Sequence, residues 1–125
     1  MIPKFRAYYA EKMWYVAKID LWGDPEQTTC DLAPYLPKYD ELFDIPLIET
    51  ALMQSTGLKD ENGVEIFDGD IGWDDHQEVH GQVIFENGAF KYEWENISED
   101  LFEVTDDIEI VGNIYENSEL LEGSE

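Results

Sequence analysis

The sequence predicts a mainly β fold: a small SH3-like barrel or, as the second choice, a curled antiparallel sheet with one packed helix. Three observations support this prediction. Apolar and polar residues alternate in several short segments, turn signals such as Asn-Gly and Asp-Gly separate these segments at close spacing, and the chain shows little helical periodicity. The 125 residues are expected to form one domain, residues 1–125, which is long enough to bury a core.

The first half of the chain is predicted to contain one hairpin and one irregular segment. Strands at residues 5–9 and 13–21 are joined by Ala10-Glu11-Lys12, and the second strand is apolar on both faces, which predicts partial burial of each face. Residues 22–50 contain four prolines, each of which removes a backbone donor. This Pro-rich segment is therefore predicted to be an irregular cover or insertion, with a helical turn at residues 39–43.

Residues 52–121 are predicted to hold the barrel core and a terminal helix. The stretch at residues 52–73 shows strand, turn, strand, turn and strand, with Asn-Gly in its first turn. The clearest hairpin joins strands at residues 79–86 and 89–94, because apolar residues alternate in both arms around the turn Glu86-Asn87-Gly88.

The C-terminal part is predicted to contain two further strands and a short helix. Residues 101–104 form a short strand, and residues 108–115 form the last one. Asn117 is placed to cap the helix, and Glu119 in its first turn is favoured by the helix dipole. The leucines that follow form the buried side of this helix.

Acidity is the dominant feature of the composition. The chain has 30 Asp and Glu residues against 7 Lys and Arg, a formal net charge of −23, and Lys91 is the only base in residues 61–125. Such a chain repels nucleic-acid phosphates and anionic membranes, so neither is expected to bind it directly. The alternative interpretation is that most carboxylates only aid solubility. The densest acidic run is the candidate partner-binding surface: Glu93, Glu95, Glu99, Asp100, Glu103, Asp106, Asp107 and Glu109.

The polar residues at 74–80 are the candidates for a metal or catalytic centre. This segment holds two histidines and three carboxylates, and an enzyme or metal-dependent factor would use Asp74, His76 and His80. The flanking glycines and the strand that follows argue against a helix, and in a strand the two imidazoles would lie about 13 Å apart, too far for one ion. No catalytic residue, metal or cofactor is therefore predicted.

Other polar residues receive structural interpretations. Asp68 and Asp70 flank a glycine in a turn, where carboxylates normally accept backbone N–H groups. Cys30 is the only cysteine, which fits a reducing compartment, and its acidic neighbour is expected to raise the pKa of the thiol and oppose reactivity. No signal peptide or membrane-spanning apolar run is visible.

The seventeen aromatic residues are expected to lie mostly in the core, because bases that would accompany a nucleic-acid stacking platform are missing beside them. Any exposed remainder would mark an interface. Trp14, Trp22 and Trp94 are the candidates for such exposure.

Several motifs resemble those of a known family. They are Lys4-Phe5-Arg6-Ala7 near the start, LMQSTGLKD at 52–60 with Asn62-Gly63, EIFDGDI at 65–71, VIFENGAF at 83–90, VGNIYEN at 111–117 and ELL at 119–121. With these motifs the chain resembles the YopX-like family of phage and prophage proteins. It departs from the family pattern at Ser118, where the family usually has proline, and so the helix start is less pre-set.

The resemblance implies a β-rich accessory protein, made in the cytoplasm of a bacterial host, with no catalytic residues. Combined with the charge, it predicts a non-catalytic acidic module that binds an unidentified host or phage protein. In the sharper form of this hypothesis the carboxylates mimic nucleic acid on a DNA-binding surface. The alternative is a structural phage protein that self-associates into a homo-oligomer through sheet edges or exposed aromatic residues.

Overall fold

The structure is a computed structural model that describes residues 4–20, 27–35 and 40–122. It contains two compact units, Met1–Gln54 and Ser55–Glu125, and the boundary between them falls inside a strand. The strands are β1 (Phe5–Tyr9), β2 (Lys12–Asp20), β3 (Thr29–Pro34), β4 (Leu42–Pro46), β5 (Ala51–Lys59), β6 (Glu65–Phe67), β7 (Asp70–Asp74), β8 (Val79–Glu86), β9 (Ala89–Trp94), β10 (Ile97–Asp100) and β11 (Ile108–Asn113). Short 3₁₀ turns lie at Leu47–Glu49 and Leu101–Glu103, and helix α1 is Glu119–Glu122.

The first unit is an antiparallel sheet with the order β4-β3-β2-β1-β5, to which β5 contributes residues 51–54. Its buried core consists of Ala7, Trp14, Cys30 and Leu32. The predicted hairpin of β1 and β2 is confirmed, and Ala10 and Glu11 have φ values of 53° and 63° in its two-residue turn. Positive φ at both central positions matches the right-handed twist of the paired strands.

The Pro-rich segment differs from its prediction, because it contributes β3 and β4 to the sheet. Cys30 and Leu32 alternate with less buried neighbours in β3, as one buried face requires. Pro34 and Pro46 stand at the last position of their strands, where the missing N–H disrupts little pairing. Of the helical turn predicted at 39–43, residue 39 lies outside the described residues and Leu42 already belongs to β4.

The second unit contains the rest of β5, which pairs with β6, and an antiparallel sheet with the order β10-β9-β8-β7-β11. The hairpin of β8 and β9 has the predicted bounds, with φ of 53° at Asn87 and 81° at Gly88. Its core consists of Ile66, Val83, Tyr92, Trp94, Leu101, Val104 and Ile108.

The mainly β prediction is confirmed: the chain forms two antiparallel sheets with one short helix. Neither sheet pairs its first strand with its last among the described residues, so the SH3-like barrel stays a prediction. The single domain over residues 1–125 also stays a prediction.

The prediction of a short strand at residues 101–104 is wrong. Leu101–Glu103 is a 3₁₀ turn, and the N–H of Val104 donates to the carbonyl of Leu101 at 3.0 Å. Leu101 and Val104 are three residues apart and both buried, as a 3₁₀ turn allows. The pairing with β9 is made by the preceding residues of β10, which were not predicted as a strand.

Tyr92 fills the space above two glycines in the second unit. Gly72 of β7 and Gly81 of β8 face each other across the pairing. A Cβ atom on Gly81 would collide with Cζ of the Tyr92 ring, and one on Gly72 would come within 2.9 Å of its hydroxyl oxygen. Only glycine therefore leaves room for this ring.

The Tyr92 hydroxyl is buried and has no hydrogen-bond partner among the described residues. Burial is the main cause that raises the pKa of the Tyr92 phenol, and the carboxylate of Asp74 raises it further. The backbone of Gly81 offsets a part of this shift.

Asp60 connects the turn between β5 and β6 to the distant strand β11. Its Oδ1 accepts the N–H groups of Asn62 and Val64 at 2.8 and 2.9 Å, and its Oδ2 accepts the N–H of Ile110 at 2.8 Å. The N–H of Glu61 also donates to the carbonyl of Ile108 at 3.2 Å. The turn is thereby fixed against an edge of the sheet.

Replacing Asp60 by Asn is expected to destabilise the fold by about 2–4 kcal/mol. The amide has only one oxygen that accepts, and its NH₂ group cannot accept, so the three backbone N–H groups are no longer all satisfied. The free energy of unfolding in urea measures this change. The exposed neighbour provides the control, since Glu61→Gln should stay within about 0.5 kcal/mol of the original protein. Equal losses for the two variants would contradict this role of Asp60.

Replacing Tyr92 by Phe is expected to flatten the loss of stability at alkaline pH. Above pH 10.0, the ordinary pKa, the unfolded tyrosine loses its proton while the folded one keeps it. The native state then binds more protons, so stability falls as pH rises. Near pH 7 the variant should lie within about 1 kcal/mol of the original, since the hydroxyl is unpaired.

The measurement is urea unfolding at several pH values between neutral and strongly alkaline. Tyr115→Phe, at an exposed tyrosine, is the matched control and should keep the original slope. An unchanged alkaline slope in the Tyr92→Phe variant would show that Tyr92 does not cause it.

Candidate functional site

The eight residues of the predicted acidic surface all belong to the second unit, and all are exposed except Asp100, which is half-buried. They do not follow one strand. Glu93 lies on β9, Glu99 on β10 at one edge of the sheet, and Glu109 on β11 at the other edge. Asp106 and Asp107 lie in the turn before β11. The strand order therefore distributes a continuous sequence run over both edges of the sheet.

Lys91 does not remain available to balance these acids. Its Nζ lies 2.5 Å from Oδ1 of Asp100, which is its cross-strand neighbour on β10. This hydrogen bond is the main cause that raises the pKa of Lys91, and the charges of Glu86 and Glu103 add to it. The only base in residues 61–125 is thus held within the acidic surface itself.

A groove lies over β8 and β9 within the second unit. Its volume is about 280 Å³, and its polar lining is formed by His80, Gln82, Glu93 and Glu95. Gln82 and Glu93 are direct cross-strand neighbours. Trp94 and Leu121 contribute apolar surface, so helix α1 forms a part of the wall.

The turn before α1 positions this wall. Oδ1 of Asn113 accepts the N–H groups of Tyr115 and Glu116, both at 2.9 Å, and Oδ1 of Asn117 accepts the N–H of Asn113 at 3.1 Å. The predicted side-chain cap by Asn117 is therefore wrong, because its side chain points back to Asn113. Only the carbonyl of Asn117 serves the helix, by accepting the N–H of Leu120 at 2.9 Å.

Gly112 makes room for this turn, since a Cβ atom there would collide with the side chain of Asn117. The motif VGNIYEN thus encodes the chain reversal that carries α1 towards β8. A helix of four residues has little stability of its own, so its place depends on this turn.

The polar cluster at residues 74–80 is arranged as a turn. Oδ1 of Asp74 accepts the N–H groups of His76 and Gln77 at 2.8 and 3.2 Å. The ring of His80 packs against Trp73, with the ring centres 4.8 Å apart. Over residues 4–20, 27–35 and 40–122, no three His, Cys, Asp or Glu side chains come together in a metal-binding arrangement.

The predicted roles of Asp70 and Cys30 agree with the structure. Oδ2 of the buried Asp70 accepts the N–H of Phe67 at 2.8 Å, as expected of a turn carboxylate. Cys30 is buried in the first unit, and burial is the main cause that raises the pKa of its thiol, with a further contribution from Asp31.

Of the three tryptophans predicted to be exposed, the two that the structure describes are not exposed. Trp14 and Trp94 are buried, and Nε1 of Trp14 donates to the carbonyl of Tyr9 at 2.9 Å, while Trp22 lies outside the described residues. Alternation identified two faces of each strand but not which face the rest of the unit covers. The most exposed aromatic residues are Phe43 and Phe102, at 63% and 66%.

The groove was not predicted, although the sequence carried a signal for part of it. The Asn87-Gly88 turn fixes the register of β8 against β9, which places Gln82 beside Glu93. The contribution of Leu121 could not be derived in this way, because it depends on the turn between β11 and α1.

The sequence model described as YopX protein matches residues 4–122. The chain belongs to the YopX family. This membership confirms the resemblance found in the motifs, and the match includes both units of the structure.

Two solved structures resemble this YopX-family chain. Protein EF1440 from Enterococcus faecalis is 29% identical, with a TM-score of 0.62 and coverage of 97% of this chain and 99% of that chain. Protein yopX from Bacillus subtilis is 24% identical, with a TM-score of 0.63 and 98% coverage of each chain; at this identity the likeness shows the fold alone. No significant match was found among curated proteins. None of the helices in the described part of the chain is long and apolar enough to cross a membrane.

Cys30 is expected to react with a disulfide reagent at least about a hundredfold more slowly in the folded chain than in the unfolded one, because burial limits access and its raised pKa limits thiolate formation. The release of thionitrobenzoate at pH 8, with and without urea, measures both rates. Similar rates in the two states would contradict the buried position of the thiol.

Proposed function

We propose that this YopX-family chain is a non-catalytic acidic interaction module of phage or prophage origin, which binds a basic surface of a host or phage protein in the bacterial cytoplasm. The observation that carries the proposal is the state of the charges in the second unit. Seven of its eight candidate acids are exposed, and Lys91, the only base in residues 61–125, is paired with the eighth, Asp100. An acidic surface of this kind attracts basic partners and repels nucleic acid.

The non-catalytic part of the proposal rests on the buried carboxylates. Those of Asp60, Asp70 and Asp74 accept backbone N–H groups in turns. A carboxylate with such partners stabilises the fold by satisfying backbone donors. The buried acids are therefore engaged in structure, and the exposed acids carry the proposed binding.

In the sharper form of the proposal, the partner surface normally binds nucleic acid. Exposed acids lie on β9 and β10 and again on β11, which is three strand spacings from β9, about 14 Å. Duplex DNA carries about one charge per 1.7 Å of axis, so a competitor needs dense carboxylates over such a width. The net charge of −23 on 125 residues supports this form.

Neutralising four exposed acids of the second unit should weaken capture of the partner and reduce the salt dependence of binding, because each lost charge removes an ionic contact. The variant carries Glu99→Gln, Asp106→Asn, Asp107→Asn and Glu109→Gln. The matched control removes four exposed acids of the first unit: Glu11→Gln, Asp40→Asn, Glu41→Gln and Glu49→Gln.

The measurement is capture from host and phage-infected lysate, washed with increasing salt, followed by mass spectrometry. A partner that the first variant loses at lower salt than the control supports a localised acidic surface. If both variants lose the partner at the same salt concentration, net charge alone explains the binding, and the proposal is contradicted. Displacement of the partner by duplex DNA supports the mimic form, and coexistence with DNA on the partner contradicts it.

Self-association is the second candidate function. Exposed Phe43 and Ile48, at 63% and 64%, favour it, because they belong to and follow edge strand β4. Light scattering at high protein concentration separates the two functions. A monomeric mass would exclude a homo-oligomer under those conditions, and an oligomer reduced to a monomer by Phe43→Ser would support it.

A further inference from the structure

The groove over β8 and β9 combines hydrogen-bonding groups with an excess of negative charge. Glu93 and Glu95 contribute two carboxylates, and Gln82 and His80 contribute an amide and an imidazole. Among the described residues no lysine or arginine lines it, and Lys91, on the same strand as Glu93, is bound to Asp100. Two neighbouring carboxylates attract a group of opposite charge and form charge-assisted hydrogen bonds with it, so a cationic ligand suits this groove.

The shape and the apolar walls narrow the choice of cation. A volume of about 280 Å³ lies below the range of about 300–1,000 Å³ that is typical for drug-sized ligands, so the groove suits one side chain. Leu121 offers apolar contact for a methylene stem. The guanidinium group is planar, weakly hydrated and carries five N–H donors, whereas an ammonium is compact and carries three. The four polar side chains of the groove can therefore accept more hydrogen bonds from a guanidinium than from an ammonium.

We propose that this groove binds a single arginine side chain of the protein partner. The proposal rests on the proposed acidic interaction function and deepens it by naming the residue of the partner that enters the second unit. In the complex, Glu93 and Glu95 bind the guanidinium, Gln82 adds a side-chain acceptor, and Leu121 packs on the aliphatic stem.

The position of α1 is the feature that distinguishes this groove from an open acidic surface. The turn with Asn113 and Asn117 holds the helix where Leu121 forms a wall over the outer face of β8 and β9. Removing that wall changes no charge. An effect of Leu121 on binding would therefore separate an enclosed site from general attraction between opposite charges.

The experiment uses the full ¹⁵N-labelled chain and the acetylated peptide amide Gly-Gly-Arg-Gly-Gly, with lysine and citrulline analogues of the same peptide. We expect the arginine peptide to shift the Gln82 side-chain amide and the Trp94 indole signals in a saturable manner. The lysine peptide should bind more weakly, and the neutral citrulline peptide should cause no saturable shift.

Three variants test the assignment. Glu93→Gln with Glu95→Gln should weaken arginine binding about tenfold, because both charge-assisted contacts are lost. The matched control, Glu41→Gln with Glu49→Gln in the first unit, removes the same charge from exposed residues that do not line the groove and should change affinity by less than about twofold. Leu121→Ala should weaken binding about threefold through lost apolar contact. Thermal unfolding of each variant checks that the fold is retained.

Equal binding of the lysine peptide would overturn the choice of arginine. Equal weakening by the groove pair and by the control pair, or shifts spread over all exposed acids, would overturn the site. These readouts do not depend on the lysate partner. If the peptide fails to bind while capture still depends on the acids at the sheet edges, the groove assignment is overturned and the proposed function is retained. If the peptide binds specifically but capture does not depend on those acids, the groove assignment is retained and the proposed function is overturned.

Discussion

The carboxylate of Asp60 is the contact on which the arrangement of the second unit depends. Strand β11 forms one edge of its sheet, and its pairing with β7 is irregular between Ile110 and Gly112. The Ile110 N–H turns to Oδ2 of Asp60, while Oδ1 closes the turn after β5. One buried carboxylate thus satisfies backbone donors in its own turn and a donor fifty residues further along the chain, and it covers a sheet edge that would otherwise be open to another strand.

The same use of polar side chains recurs in the motifs shared with the YopX family. Asp70 holds the turn before β7, and Asn113 and Asn117 hold the turn before α1. Asp74, which lies outside these motifs, holds the turn before β8 in the same way. These residues would attract attention as a catalytic or metal-binding set. Their oxygens are instead occupied by N–H groups of the backbone, so these polar residues explain a fold, and the charged residues that select a partner are expected outside the motifs.

Local chemistry explains which elements the sequence predicted. The hairpin of β8 and β9 followed from alternation around Asn87-Gly88, whose backbone angles fix both register and ends. Strand β3 was not predicted because it lies within the Pro-rich segment, where Pro34 disrupts little pairing only because it stands at the last position of the strand. The preference of asparagine for helix N-caps predicted that Asn117 caps the helix, but its side-chain oxygen instead accepts the N–H of Asn113. The sequence identified each acid of the surface, but it did not predict the strand order that separates Glu93 from Glu109.

Charge alone cannot give this chain a specific partner. Interactions between exposed charges are largely screened beyond about 10 Å at moderate salt, so the acidity raises the rate of encounter with every basic surface alike. Selection among basic surfaces requires contacts at short range, in which shape and hydrogen bonding decide. The groove beside α1 is the place in the second unit where carboxylates, an amide and apolar walls occur together. The edge acids and the groove thus have separable effects: the acids attract a basic protein, and the groove discriminates between such proteins.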